Sequence, residues 1–242
     1  MFYPYGEERF HCSQALRSKD INFVLNTKLL HDHLVAEGLD NIKERGVWFE
    51  PAFPRDVFYP RQRSGEGKKT FMFYARPNNL RNLFYFGIEL VDEAIKRGIL
   101  DPGQWDVRLV GKDIPDLVFS GGCIPIRSEN LQWAEYAGLV GTVDLGLCLM
   151  YTPHPSYPPL DLAASGAVVV TNRFGRKQDL SCYSKNIICS DLDLEAMLAA
   201  LAEGVRLAEN REERQHNLST SGLGSDWRAA FSGVVQHFSR AM

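Results

Sequence analysis

Residues 147–172 gather groups that could meet a charged ligand: His154, Ser156, Tyr157 and Asp161, spaced by Pro153, Pro155, Pro158 and Pro159. The apolar run 144–150 ahead of them does not alternate, which is the pattern of a strand covered on both faces. The prolines suppress regular structure until a short helix, expected over 160–165. Gly166 ends that helix where a left-handed residue costs least, and 167–171 returns as strand. In an open parallel sheet, ligands sit outside the carboxyl ends of the strands. A helix N-terminus there offers free N–H groups to an anion. Asp161 is expected in the first turn of this helix, with its carboxylate facing the bound molecule. The layout suits a nucleotide phosphate.

A second cluster is Arg76, Asn78 and Arg81, where the apolar strand 70–75 ends and a helix over 78–97 begins. Two guanidinium forks and a helix N-terminus converge there, a good match to a diphosphate. The plainer alternative has Arg76 capping a strand end and Arg81 on a solvated helix face. Gly111 either lets a base or phosphate approach the backbone or makes a simple turn. His154 and Ser156 lie beside the expected ligand or in an ordinary solvated loop. His31 and His33 stand at i, i+2 and point to different faces, so they form no metal pair.

These residues need elements to hold them. Residues 8–16 read as helix, 21–26 as strand, 28–37 as helix and 46–50 as strand. The stretch 54–69 has linker composition, with Pro60 and the basic, glycine-bearing run 61–69. Beyond it come strand 70–75, helix 78–97 (Leu80, Leu83, Phe84, Gly87, Val91, Ala94 and Ile95 on one stripe), strand 105–110, strand 117–119 and helix 129–137. Strands 144–150, 167–171 and 186–189 follow, then helices 192–208 and 226–240. Strands alternating with helices predict an α/β fold, a Rossmann-like parallel sheet with helices on both faces.

Asp161, Ala163, Ala164, Ser165, Gly166 and the strand Val168, Val169, Val170 carry a family resemblance. The segment resembles the donor-binding motif of GT-B glycosyltransferases of the glycogen-synthase-like, retaining type, glycosyltransferase family 4. That motif is an acid, seven residues, a second acid, two or three small residues, a glycine and a Val-Val strand. The second acid corresponds to Asp161, while the first falls on Pro153 and is absent. Within the group, residues 153–160 are similar to bacterial rhamnosyltransferases that use dTDP-rhamnose. The resemblance implies transfer of a sugar, rhamnose by best match, from a nucleoside-diphosphate donor to a glycan acceptor in surface polysaccharide synthesis. Arg76 matches the arginine of the element that grips the donor pyrophosphate, and Arg81 stands for its lysine at a spacing one residue shorter. These two are the catalytic candidates, acting on leaving-group charge. Asn78, Gly111, Gly122, Cys123, Ile124, His154, Ser156, Tyr157, Pro158 and Asp161 complete the implied donor site. Of these, Gly122, Cys123 and Ile124 resemble a loop that holds the base through its main chain.

The same resemblance divides the chain into 1–55, the end of an N-terminal acceptor domain; 56–69, a linker; 70–225, the donor-binding domain; and 226–242, a helix crossing back onto the N-terminal part. Trp227, Ala230, Phe231, Val234, Val235 and Phe238 form an apolar stripe on that helix. It is expected against residues 1–55, with some apolar surface left uncovered.

A net charge of −3 in 242 residues argues against a nucleic-acid binder. No apolar run reaches the length of a membrane span. Five cysteines without a C-x-x-C pair read as reduced and structural, and the expected location is cytoplasmic. No cofactor and no metal is expected. The implied partners are a nucleotide sugar and a glycan acceptor; a peripheral membrane contact and a homo-oligomer or separate N-terminal partner stay open. Two other classes also stay open. One is a non-catalytic module that binds a nucleotide sugar or a partner. The other is a nucleotide-dependent oxidoreductase, although no G-x-G-x-x-G follows strand 70–75.

Overall fold

The computed structural model describes residues 12, 14–61 and 67–239. Most of the expected helix 8–16 lies outside the described residues, and residues 14–17 are helical. Strand β1 (Val24–Asn26), helix α1 (Lys28–Ala36), helix α2 (Asp40–Arg45) and strand β2 (Val47–Phe49) make a small β-α-β unit whose two strands pair in parallel. Leu25, Leu34, Leu39 and Ile42 form its core. Thr27 caps α1 through its Oγ1 and holds an unusual φ of 77°.

The larger unit is a six-stranded parallel sheet of β3 (Lys69–Ala75), β4 (Trp105–Gly111), β5 (Ile126–Glu129), β6 (Leu145–Cys148), β7 (Val168–Asn172) and β8 (Ile187–Ser190). Its spatial order is β5-β4-β3-β6-β7-β8. The order therefore reverses between β3 and β6, the topological switch point of a doubly wound sheet. Helix α3 (Phe84–Lys96) follows β3, helix α4 (Trp133–Val140) precedes β6, and helix α5 (Tyr157–Ala164) joins β6 to β7. Helices α6 (Leu194–Glu209), α7 (Arg211–Ser219) and α8 (Trp227–Ser239) close the chain. Alternate strand residues feed the two faces. Phe71, Phe73, Leu145, Leu147 and Val170 pack with Leu90 and Val91 of α3 and Met197 and Leu201 of α6. Met72, Val110, Cys148 and Val169 pack with Val140 of α4 and Leu160 and Ala163 of α5.

Several expectations change. Strand 117–119 is not formed. The third strand of this unit is instead Ile126–Glu129, whose sequence Ile-Arg-Ser-Glu hides it because an edge strand tolerates polar residues. The helix expected over 78–97 starts only at Phe84, and Leu80 from its supposed stripe is 89% exposed. Asn79 breaks it early: its side chain accepts from the Arg81 N–H at 3.1 Å, a local turn that competes with helix. Helix 129–137 is shifted to Trp133–Val140, with a capping box between Gln132 and Glu135. The stretch expected to be a linker is held to the sheet unit over 57–61: Phe58 is buried, and Arg61 N–H donates to Gly141 O at 2.7 Å.

Helix α8 lies against β2 as expected. Phe231 stacks on Phe49 with centroids 4.4 Å apart, and Trp227 stands 5.7 Å from Phe231. Val235 stays 61% exposed. Among the described residues no helix is long and apolar enough to cross a membrane.

Candidate functional site

At the switch point the chain leaves β3 toward one face and β6 toward the other, so their carboxyl ends part and open a crevice. Two fully buried asparagines fasten its floor. Asn82 accepts from Arg76 N–H at 2.7 Å and donates to Tyr74 O at 3.1 Å and Leu149 O at 3.4 Å, tying the end of β3 to the end of β6. Asn172 accepts from Met150 N–H at 2.8 Å and donates back to Met150 O at 3.2 Å, tying β6 to β7. Neither is marked as functional by the sequence. Their one local signal is an amide side chain beside an apolar strand end.

Above this floor is a cleft of about 480 Å³, lined among others by Tyr74, Arg76, Gly111, Trp133, Tyr136 and Asp161. Arg76 stands at its wall, with its backbone fixed by Asn82 and its guanidinium exposed. Gly111 pairs with Ala75 across the β3–β4 ladder, and a Cβ there would fall 1.8 Å from Ala75 O, so the wall must be bare backbone. Tyr157 and Pro158 line the cleft from the start of α5. That helix begins three residues earlier than expected, because prolines fit the first turn, where no N–H partner is needed.

Asp161 therefore sits in the second turn, not the first. Its carboxyl is buried and accepts from Tyr136 Oη at 3.0 Å. Burial pushes its pKa up to about 7, against which the Tyr136 hydrogen bond works. The tyrosine, raised in turn by its own burial and by Asp161, remains a phenol. The sequence does not reveal Tyr136, since nothing local distinguishes a tyrosine facing a cleft from one facing the core.

The proline loop leads into α5 behind this cleft, whose lining takes in Tyr157 and Pro158 but not His154, Ser156 or Arg81. Ser156 caps α5 with φ 70°, and its N–H donates to His154 Nδ1 at 2.8 Å. That bond leaves the proton on Nε2. Burial, then the nearby Lys177 and Arg81, hold the His154 pKa down to about 4, so the ring is neutral. Arg81 is half-buried, and its carbonyl accepts from Tyr151 N–H at 2.7 Å. Asn26, from the small unit, donates to the Oη of Tyr157, which lines the cleft, at 2.6 Å.

Three of the expected base-loop residues lie elsewhere. Gly122, Cys123 and Ile124 precede β5, at the amino edge of the sheet, and Cys123 packs into the core beneath α3. The cleft is instead walled by Ser128, Asn130 and Leu131 at the carboxyl end of β5. Asn78 is also turned away and donates to Asp113 at 3.1 Å.

Residues 69–202 match the family described as WsaF, C-terminal domain. The chain belongs to that family. It is also 30% identical over 220 residues to the O-antigen biosynthesis protein RfbC of Myxococcus xanthus, spanning 88% of this chain but only 16% of that protein. Among solved structures, sucrose-phosphate synthase from Thermosynechococcus elongatus superposes with a TM-score of 0.65 at 16% identity. It covers 98% of this chain and 62% of its own. Anabaena HepE, solved in complex with UDP and glucose, gives 0.66 at 12% identity over 96% of this chain and 66% of its own. The six-stranded parallel sheet with its flanking helices is that of GT-B glycosyltransferase domains.

Proposed function

We propose that this chain is the donor-binding part of a glycosyltransferase of surface-polysaccharide or O-antigen synthesis, taking its sugar from a nucleoside diphosphate. The observation that carries the reading is the cleft at the switch point, with Arg76 and the buried pair Asp161–Tyr136 on its walls. Family membership and the likeness to RfbC support it. In this reading Arg76 and Arg81 take the diphosphate and lower the leaving-group charge by fixed positive potential. Asp161 takes the ribose hydroxyls, since a carboxyl beside a phosphate would repel it. Ser128, Asn130 and Trp133 replace 122–124 as the surface for the base. Neutral His154 reads the sugar in place of the missing first acid. Thymidine and rhamnose are the preferred base and sugar, with retention at the anomeric carbon and a glycan acceptor, and the chemistry needs no metal or cofactor. Calorimetry with dTDP, UDP and GDP tests the reading. Sub-millimolar binding of at least one supports it, and absence of binding for all three at millimolar concentration overturns it.

A further inference from the structure

Lys177 is fully buried, in a tight hairpin after β7 closed by mutual backbone hydrogen bonds with Phe174 at 2.9 and 2.8 Å. Its Nζ donates to Met150 O at a long 3.4 Å, and among the described residues no carboxylate pairs with it. A buried ammonium held so weakly is costly, and a methionine of similar volume would fill the space without that cost. The groups facing it supply no negative charge. They are the thiols of Cys148 on β6 and Cys189 on β8, both pushed upward by burial, and neutral His154 in the loop, with Arg81 beyond.

The carbonyl it grips has a particular place. Met150 O and Tyr151 N belong to one peptide unit, just beyond β6 at the switch point. The oxygen takes three donors, the Thr152 N–H at 2.9 Å, Asn172 Nδ2 at 3.2 Å and Lys177 Nζ at 3.4 Å, and the nitrogen donates to the Arg81 carbonyl at 2.7 Å. One rigid peptide thus joins the buried ammonium to the loop that carries Arg76 and Arg81.

We propose that Lys177 is a positioning residue for the anionic end of the ligand: it joins Asn172 and Thr152 in holding the Met150–Tyr151 peptide and sets a buried positive charge behind the diphosphate subsite at Arg76 and Arg81. This rests on the nucleotide reading above. The cost of an unpaired buried cation is then offset only when the anion arrives. Burial holds the lysine pKa down to about 8, so the free chain is poised to lose this charge in mild alkali.

The test pairs melting with calorimetry on Lys177→Met, Lys177→Arg and Arg76→Ala. Lys177→Met should keep or raise Tm, bind the nucleoside as the parent does, and bind its diphosphate about tenfold more weakly, the effect of one charge acting over roughly 10 Å at an effective dielectric near 20. The parent's advantage for the diphosphate should shrink between pH 7 and 9, where the nucleotide's own phosphates are already ionised. Lys177→Arg, which cannot deprotonate there, should keep only the slope that ionisation of Asp161 contributes and so vary less than the parent across that range. The idea is overturned if Lys177→Met leaves diphosphate affinity unchanged while Arg76→Ala weakens it, an outcome that spares the nucleotide reading. Equal losses for nucleoside and diphosphate, or a pH slope as steep in Lys177→Arg as in the parent, also overturn it, as a merely structural lysine. A parent chain that binds no nucleotide overturns both readings.

Discussion

Arg76 and Asp161 divide the cleft by charge, and each makes a separate prediction. Arg76 keeps its backbone fixed by Asn82 while its side chain stays exposed at the wall. Truncation to alanine should therefore leave the fold intact and weaken diphosphate binding by roughly 1.5–3 kcal/mol, the scale of a charge-assisted hydrogen bond. Calorimetry with nucleoside and nucleoside diphosphate side by side will show whether the loss is confined to the phosphates. Asp161 acts on stability as well as binding. Its folded pKa of about 7 lies above the ordinary carboxyl value of 3.8. Folding thus favours the protonated form, and the contribution is full below about pH 4 and disappears as pH rises through about 7. Relative to Asp161→Asn, which keeps an acceptor for Tyr136, the parent should lose on the order of 2–4 kcal/mol between pH 4 and 8. Taking the difference between the two proteins cancels the opposite trend from His154. Chemical denaturation at a series of pH values measures it, and parallel curves would show that Asp161 is solvated and ordinary.

At the scale of elements, the cleft depends on how closely α3 and α5 approach the sheet. Gly87 of α3 sits directly over Phe73 of β3, and a Cβ there would fall 2.1 Å from the ring's Cζ. Phe73 is fully buried near the middle of the strand that leads to Arg76, so it cannot swing aside. Gly87→Ala should cost about 1–3 kcal/mol, read as a shift in the urea midpoint at unchanged slope. An effect below a few tenths would mean that the helix slides freely over the strand. Helix α5 carries a different strain. Ser156 holds φ 70° at its cap, a region open to glycine. Ser156→Gly should raise stability by about 1 kcal/mol in the same assay, and a loss would show that the serine hydroxyl matters more than the backbone angle.

For the whole molecule, the question is what holds the small N-terminal unit against the sheet unit. The contacts include Phe49–Phe231–Trp227 stacking, Asn26 to Tyr157, Leu29 against the sheet-unit core, and Glu50, which accepts from Tyr183 Oη at 2.6 Å while also accepting from Lys28 N–H at 2.9 Å. The aromatic group is the largest apolar member of this set, although Phe231 is 36% exposed. Phe231→Asp should cost about 1–3 kcal/mol and free residues 20–50 for proteolysis before the sheet unit is cut. Simultaneous loss of both units would show instead that they fold as one.

The alternation of apolar strands with helical stripes was enough to establish the doubly wound class. The placement of Arg76 at a strand end, the left-handed stop at Gly166 and the apolar stripe of α8 were also legible, while the docking of that stripe on the small unit was implied by the family resemblance alone. The legible features depend on local periodicity, turn chemistry or one amphipathic stripe. The order β5-β4-β3-β6-β7-β8 was not legible, because any permutation of parallel strands presents the same local pattern. Everything that depends on that order stayed hidden with it. Tertiary structure alone decided that Tyr136 meets Asp161, that 122–124 lie at the far edge, that Asn82 and Asn172 fasten the crevice, and that Lys177 is buried behind it. The physical reason is separation along the chain: these partners lie 22 to 67 residues apart, and only the packed sheet brings their polar groups within hydrogen-bond reach.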